Sequence, residues 1–144
     1  MDVCCLNRPF DDLSQDRVYL EAEAILSILS RCEQGIWTLL GSSVTEYELS
    51  NTTDEERLEK VKSLCVSAKG RITLTEQAEK RAAYFQSYGL KTLDSLHLAA
   101  AEMAHADVFL TTDDRLLRSA KRLDVHVKTA NPVSWLMEVQ NDVK

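Results

Sequence analysis

The sequence predicts one α/β domain, residues 1–144, in which helices flank a short parallel sheet in three layers. Helix-capping patterns recur along the chain and indicate several helices. From Asp94 onward, short apolar runs alternate with helical patterns, and this alternation favours parallel strands joined by right-handed crossovers. No Pro-, Gly- or Ser-rich linker and no internal repeat interrupts the chain, which supports a single unit.

The first third of the chain predicts a loop, a long helix, a strand and a short helix. An N-terminal loop contains residues 7–9. Apolar side chains then recur at helical spacing over residues 13–32, which predicts an amphipathic helix. The short apolar run 37–40 suits a buried strand, and residues 43–50 follow it as a turn into a short helix.

The middle of the chain predicts two further helices. Thr53 and Glu56 have the spacing of a capping box, in which each side chain satisfies a backbone N–H at the start of a helix. Thr73 and Glu76 repeat this signature before a third long helix. That helix ends at Gly89, because glycine adopts the left-handed conformation of a C-terminal cap without strain.

The last third of the chain alternates between helices and strands. The predicted elements are a helix over 94–104, a strand over 108–111, a helix over 113–121 and a strand over 125–128. A final helix follows, with Asn131 as its N-cap and Pro132 as its first residue.

Composition and charge narrow the class of protein. The chain is 44% hydrophobic and 28% charged, which is enough to bury a full core. No apolar stretch approaches the roughly 18 residues that span a bilayer, and the N-terminus lacks the pattern of a secretory signal, so we expect a cytoplasmic protein that does not enter a membrane. A formal net charge of −6 argues against a broad nucleic-acid-binding surface.

Positive charge nevertheless clusters in one stretch after Asp113. This stretch is either a phosphate-facing patch or a solvated helix face, and it contains Arg115, Arg118, Lys121, Arg122 and Lys128. The four cysteines, in contrast, show no C-x-x-C or H-x-x-x-H pattern, so we expect ordinary reduced thiols at Cys4, Cys5, Cys32 and Cys65.

Two acidic residues follow predicted strands, beyond whose carboxyl ends ligands bind in a parallel sheet, and a third begins an apolar helix. Asp113 follows the predicted strand 108–111, Glu48 follows the strand 37–40, and Asp94 begins an alanine-rich helix. Converging carboxylates repel one another unless a cation compensates them, and Mg²⁺ or Mn²⁺ prefers oxygen ligands. A cation held in this way suits phosphodiester hydrolysis.

Asp94, Asp113 and His97 also have plainer interpretations. An Asp at the start of a helix is most often an N-cap, and this holds for Asp94 and for Asp113 taken alone. His97 is more often a satisfied core or surface histidine than a ligand, and no Ser or Cys nucleophile is placed beside it to form a triad.

Four segments together resemble the four motifs of the PIN-domain family, which includes the VapC-type toxins. They are DVCCLNRPFDD at 2–12, SSVTEYEL at 42–49, LDSLHLAA at 93–100 and LTTDD at 110–114, in the order of the family. The resemblance implies an endoribonuclease that depends on Mg²⁺ or Mn²⁺, with its acids at one end of a parallel sheet. Its four catalytic and metal-binding acids would be Asp2, Glu48, Asp94 and Asp113.

Two positions within these motifs have an alternative. The second family acid directly precedes an aliphatic residue, which selects Glu48 over Glu46. Asp114 competes with Asp113 for the fourth position. Arg8 and Arg115 lie close to proposed acids in the sequence and are hypothetical contacts to RNA phosphates, although both also suit an ordinary surface role.

The N-terminus departs from the family pattern. PIN domains resemble one another in having a central apolar strand before the first acid, yet only Met1 precedes Asp2. We therefore expect the first strand to be shortened or missing, or replaced by residues 3–6. Toxin relatives imply an antitoxin partner and a homodimer, while a non-catalytic PIN-like binding module is the main alternative. An aspartate phosphotransferase is a second alternative, but Cys4 stands where its second acid would lie.

Overall fold

The computed structural model describes residues 1–142, which form helices around short parallel strands. The helices are α1 (Val3–Asn7), α2 (Asp16–Glu33), α3 (Ser43–Ser50), α4 (Glu55–Leu64), α5 (Glu76–Ser87), α6 (Thr92–Met103), α7 (Asp114–Arg122) and α8 (Pro132–Asp142). The strands are β1 (Leu40–Ser42), β2 (Lys69–Ile72), β3 (Val108–Leu110) and β4 (Lys128–Ala130). A 3₁₀ turn, Arg8–Phe10, follows α1. The α/β class is therefore confirmed.

The strands form two sheets instead of the single sheet that the sequence predicts. Strand β1 pairs in parallel with β2, and β3 pairs in parallel with β4. Helices α3 and α4 connect the first pair, and α7 connects the second, as parallel pairing requires. The predicted parallel pairing is thus confirmed.

A cavity of about 390 Å³ lies between the two sheets. Its lining includes Leu40 of β1, Phe109 of β3, Trp37, and Met1 at the N-terminus. Among residues 1–142, no strand precedes β1.

Residues 3–6 do not replace the missing strand, because they are helical. Asp2 caps α1: its Oδ1 accepts a hydrogen bond of 3.0 Å from the backbone N–H of Cys5. The backbone N–H of Asp2 donates to the carbonyl of Leu110 at 3.1 Å, so the chain enters beside the end of β3 and immediately turns into α1. The alternative of a substitute strand at 3–6 is therefore wrong.

Most predicted helices are present, with different caps at two of them. Asp54, and not Thr53, caps α4 by accepting from the Arg57 N–H. Thr75, and not Thr73, caps α5. In both cases the side chain nearer the helix reaches its first free N–H groups. Asn131 caps α8 as predicted, accepting from the Val133 N–H at 2.8 Å.

Strand positions differ more from the predictions. The predicted strand 37–40 is wrong in position, since β1 begins only at Leu40, which is 39% exposed. The preceding Trp37 instead packs against Trp135 with ring centroids 4.8 Å apart. Strand β4 begins at Lys128, since the chain still turns at Val125, whose N–H bonds to the Leu123 carbonyl. Strand β2 was not predicted, because its mostly polar and exposed residues carry no apolar alternation.

Three apolar clusters hold these elements together. Phe85, Leu98 and Phe109 bury the contact between α5, α6 and β3. Ile25 of α2 packs with Cys5 of α1 in a second cluster, and a third joins α4 to α1. None of the helices among residues 1–142 has the length and apolar character needed to cross a bilayer.

Candidate acidic metal centre

Asp2 is held in the interior at the N-terminal end of α1. It is 4% exposed, and its carboxylate accepts from the Cys5 N–H. Burial raises the pKa of Asp2 above its ordinary value, because the charged form loses solvation. Hydrogen bonds from Thr111 and Cys5 oppose that rise.

Asp94 and Asp113 lie at the starts of two neighbouring helices. Asp113 is the N-cap of α7, and its Oδ1 accepts from the N–H groups of Arg115 and Leu116 at 2.9 and 3.2 Å. Asp94 is half-buried in the first turn of α6. Burial is the largest cause of the raised pKa of Asp94, and repulsion from Asp113 and Asp2 raises that pKa further. These three carboxylates are therefore close enough to interact.

Glu48 reaches the same region from α3. Its Oε1 lies 2.8 Å from Nε2 of His97, and the Glu48 side chain is 27% exposed. His97 lies one turn after Asp94 on α6, so α6 contacts the side chain of a second proposed acid. His97 is therefore a buried histidine with a hydrogen-bond partner, as the plainer interpretation predicts, and that partner is one of the proposed acids.

The thiol of Cys4 reports the charge of this region. Desolvation is the largest cause of its raised pKa, which is about 12, and repulsion from four carboxylates adds to it. Those carboxylates are Asp2, Glu48, Asp113 and Asp94, in that order of effect. All four sequence-predicted acids thus act on one sulfur atom, which places them around a common region.

The donor set fits a hard divalent cation in its chemistry. Carboxylate oxygens are the ligands that Mg²⁺ and Mn²⁺ prefer, and a cation would relieve the repulsion that raises the pKa of Asp94. However, residues 1–142 contain no group of three or more His, Cys, Asp or Glu side chains already arranged around a metal position. Instead, Asp2 and Asp113 each accept a backbone hydrogen bond at a helix N-terminus.

The two alternate acids are paired with arginines. Asp114 receives two hydrogen bonds from Arg17, at 2.7 and 2.8 Å, which lower the pKa of its carboxyl group. Glu46 is bound by both the Nε and Nη2 atoms of Arg71 on β2. Each carboxylate is therefore already neutralised by a cationic side chain of the protein.

The two candidate phosphate contacts have different surroundings. Arg8 is 23% exposed, and its guanidinium lies 2.9 Å from Glu21 and 3.3 Å from Asp11, so it is bound to the protein's own acids. Arg115 is exposed in the first turn of α7, directly after Asp113 and Asp114. Of the two, Arg115 is the one that reaches solvent beside the acids.

The sequence did not indicate the contacts of two side chains near the acids, Arg17 and His97. Arg17 bonds to Asp114 and to the carbonyl of Thr112, on either side of Asp113, at a separation of about 95 residues along the chain. No sequence signal marks such a pair. His97 was considered, but its i+3 spacing from Asp94 gave no indication of its bond to Glu48.

Comparisons with known proteins give one family. A family model described as PIN domain matches residues 8–122, which is most of the chain. The matched segment contains Glu48, Asp94 and Asp113, and it begins after Asp2. Searches of curated proteins and of solved structures return no match. With the helices, the parallel strands and the order of the acids already described, the chain belongs to the PIN domain family.

Proposed function

We propose that this protein is a divalent-metal-dependent endoribonuclease that hydrolyses RNA phosphodiester bonds. PIN domains are generally nucleases, and they typically use Mg²⁺ or Mn²⁺. The observation that carries the proposal is the grouping of Asp94, Asp113 and Asp2: burial is the largest cause of the raised pKa of Asp94, and the charges of Asp113 and Asp2 raise it further. Acids that repel one another suit a cation site.

The proposal gives each of these residues a role. Asp94 and Asp113 would hold one or two cations, with Glu48 from α3 and Asp2 from α1 completing the ligand set. When bound, such a cation supplies a more acidic water as nucleophile and stabilises the leaving oxygen. Arg115 is exposed beside Asp113 and would contact an RNA phosphate.

The test is cleavage of a fluorogenic RNA oligonucleotide with Mn²⁺. We expect the wild-type protein to cleave it and Asp94→Asn to lose at least about a hundredfold in rate, since a ligand is removed without a change in size. Asp16→Asn is the matched control, because Asp16 occupies the first turn of α2 and is exposed. Equal background rates in the wild-type protein and Asp94→Asn would refute the nuclease proposal.

A second candidate function is an RNA- or protein-binding module without catalysis. It is favoured by the absence of a ready-made metal arrangement in residues 1–142 and by the bond of Asp2 to the Cys5 N–H. This candidate predicts RNA binding that is unaffected by Mn²⁺ or by Asp94→Asn. The phosphotransferase alternative is weaker, because Asp2 is only 4% exposed and its Oδ1 caps α1.

The biological setting belongs to the same proposal. We propose a cytoplasmic toxin of a toxin–antitoxin pair, a homodimer whose antitoxin binds near the acids. The four cysteines are all free, as a reducing compartment requires. Light scattering of the purified protein would measure the dimer. Growth arrest on induced expression, absent for Asp94→Asn, would support the toxin.

A further inference from the structure

A buried histidine contacts one of the proposed metal ligands. Nε2 of His97 lies 2.8 Å from Oε1 of Glu48, and the His97 side chain is 4% exposed. Because an ionised carboxylate only accepts hydrogen bonds, Nε2 must carry the hydrogen. Among residues 1–142, His97 is the one hydrogen-bond donor to the Glu48 carboxylate. The bond therefore determines which way that carboxylate points.

The ring of His97 is itself held in place. It packs against Phe109 of β3 with ring centroids 6.0 Å apart, and Phe109 is 3% exposed. Helix α6 carries His97 one turn after Asp94, on the same side of the helix. One helix thus carries both a proposed ligand and the donor to a second ligand, Glu48, on α3.

We propose that His97 is a positioning residue, which orients the Glu48 carboxylate toward a divalent cation. This inference rests on the proposed function, because it assumes that Glu48 is a ligand. With Oε1 engaged by Nε2–H, Oε2 is left to face the cation, and Glu48 need not lose side-chain freedom on binding. Hydrogen-bond partners of metal ligands typically account for 10–100-fold in metal affinity. The role needs only the Nε2–H donor.

Two amide variants separate this role from packing. The side-chain nitrogen of His97→Gln occupies the position of Nε2 and can donate to Glu48, whereas that of His97→Asn is too short to reach it. We expect Mn²⁺ binding, measured by calorimetry on the full chain, to weaken 10–100-fold in His97→Asn and less than about threefold in His97→Gln. The exposed His126 gives the control variant His126→Gln, with unchanged Mn²⁺ affinity.

A double-mutant cycle tests whether His97 acts through Glu48. Glu48→Gln alone is expected to weaken Mn²⁺ binding, and adding His97→Asn to it should cause less than a twofold further loss. Thermal unfolding of each variant confirms that the binding-competent fold is retained.

Three outcomes would overturn the inference. They are an equal loss in His97→Gln and His97→Asn, a full additional loss in the double variant, and unchanged affinity in His97→Asn beside a weakened Glu48→Gln. In all three cases the metal site itself stands. A wild-type protein that binds no Mn²⁺ at millimolar concentration would overturn the inference together with the proposed function, which distinguishes the two failures.

Discussion

Glu21 offers the sharpest test of what holds the acidic end of the fold together. Its carboxylate is 2% exposed within α2, and it lies 2.9 Å from Nε of Arg8 and 3.2 Å from Nε of Arg17. Asn131, the N-cap of α8, donates to it at 2.6 Å. One buried charge therefore ties together the segment after α1, helix α2 and the start of α8.

The perturbation is Glu21→Gln, which removes the charge and keeps the size. Removing one partner of a buried ion pair typically costs about 3–5 kcal/mol. We take the lower end, about 3 kcal/mol, because Arg17 is 54% exposed and remains solvated, while Arg8 keeps its ion pair with Asp11. At about 3 °C per kcal/mol for a domain of this size, the Tm should fall by about 9 °C.

Urea unfolding followed by circular dichroism gives the free energy directly. The matched control is Glu23→Gln, which makes the same chemical change at an exposed position of α2 and should cost less than about 0.5 kcal/mol. A loss below about 1 kcal/mol in Glu21→Gln, or an equal loss in Glu23→Gln, would refute the reasoning.

Predictions for four further variants concern the acids and the cavity. A carboxyl whose folded-state pKa is raised contributes stability that is present below its unfolded pKa and lost as the pH rises through the folded pKa. Metal-free Asp94→Asn should therefore have a higher Tm than the wild-type protein at pH 7, and this difference should disappear below the ordinary Asp pKa of 3.8. An unchanged Tm at pH 7 contradicts this prediction. Asp113→Asn should weaken Mn²⁺ binding at least about tenfold and keep the Tm, because Asn caps helices as well as Asp. Asp114→Asn should leave Mn²⁺ affinity unchanged and cost at most about 1 kcal/mol, since its ion pair is exposed; the reverse ranking in calorimetry would exchange their roles. Four β-branched residues added before Met1 should enter the cavity as a strand. Burial stabilises each residue by about 2 kcal/mol and ordering costs about 1.5 kcal/mol each, so the Tm should rise by about 6 °C. An equal rise from an extension with proline at its centre would argue against strand pairing.

The helices of this protein are readable from sequence because their signals are local. Gly89 ends its helix at φ +100°, and Asn131 with Pro132 begins the last one, as predicted. Caps are uncertain by one or two residues when several candidates adjoin, as at Thr53 and Asp54. The strands are less readable, because three- and four-residue strands contain too few positions for alternation to show.

The sequence predicts the acids of the candidate site, but it does not predict the side chains that surround them. Glu48, Asp94 and Asp113 are predicted by motifs that follow one another along the chain, with Glu46 and Asp114 as alternatives. The partners that hold the alternates and orient the acids come from distant segments, as Arg17 does for Asp114. Such pairs depend on the packing of α2 against the rest of the fold, which no local pattern encodes.

The cavity between the sheets has a mechanical consequence for the acids. Glu48 follows β1, whereas Asp113 follows β3, and no backbone hydrogen bond joins these two strands within residues 1–142. The spacing of Glu48 and Asp113 is therefore set by side-chain contacts, such as the hydrogen bond between His97 and Glu48, which yield more easily than a hydrogen-bonded ladder of strands. A cation held from both sides would act as a cross-link between the halves, so that its binding stiffens the domain as well as completing the site.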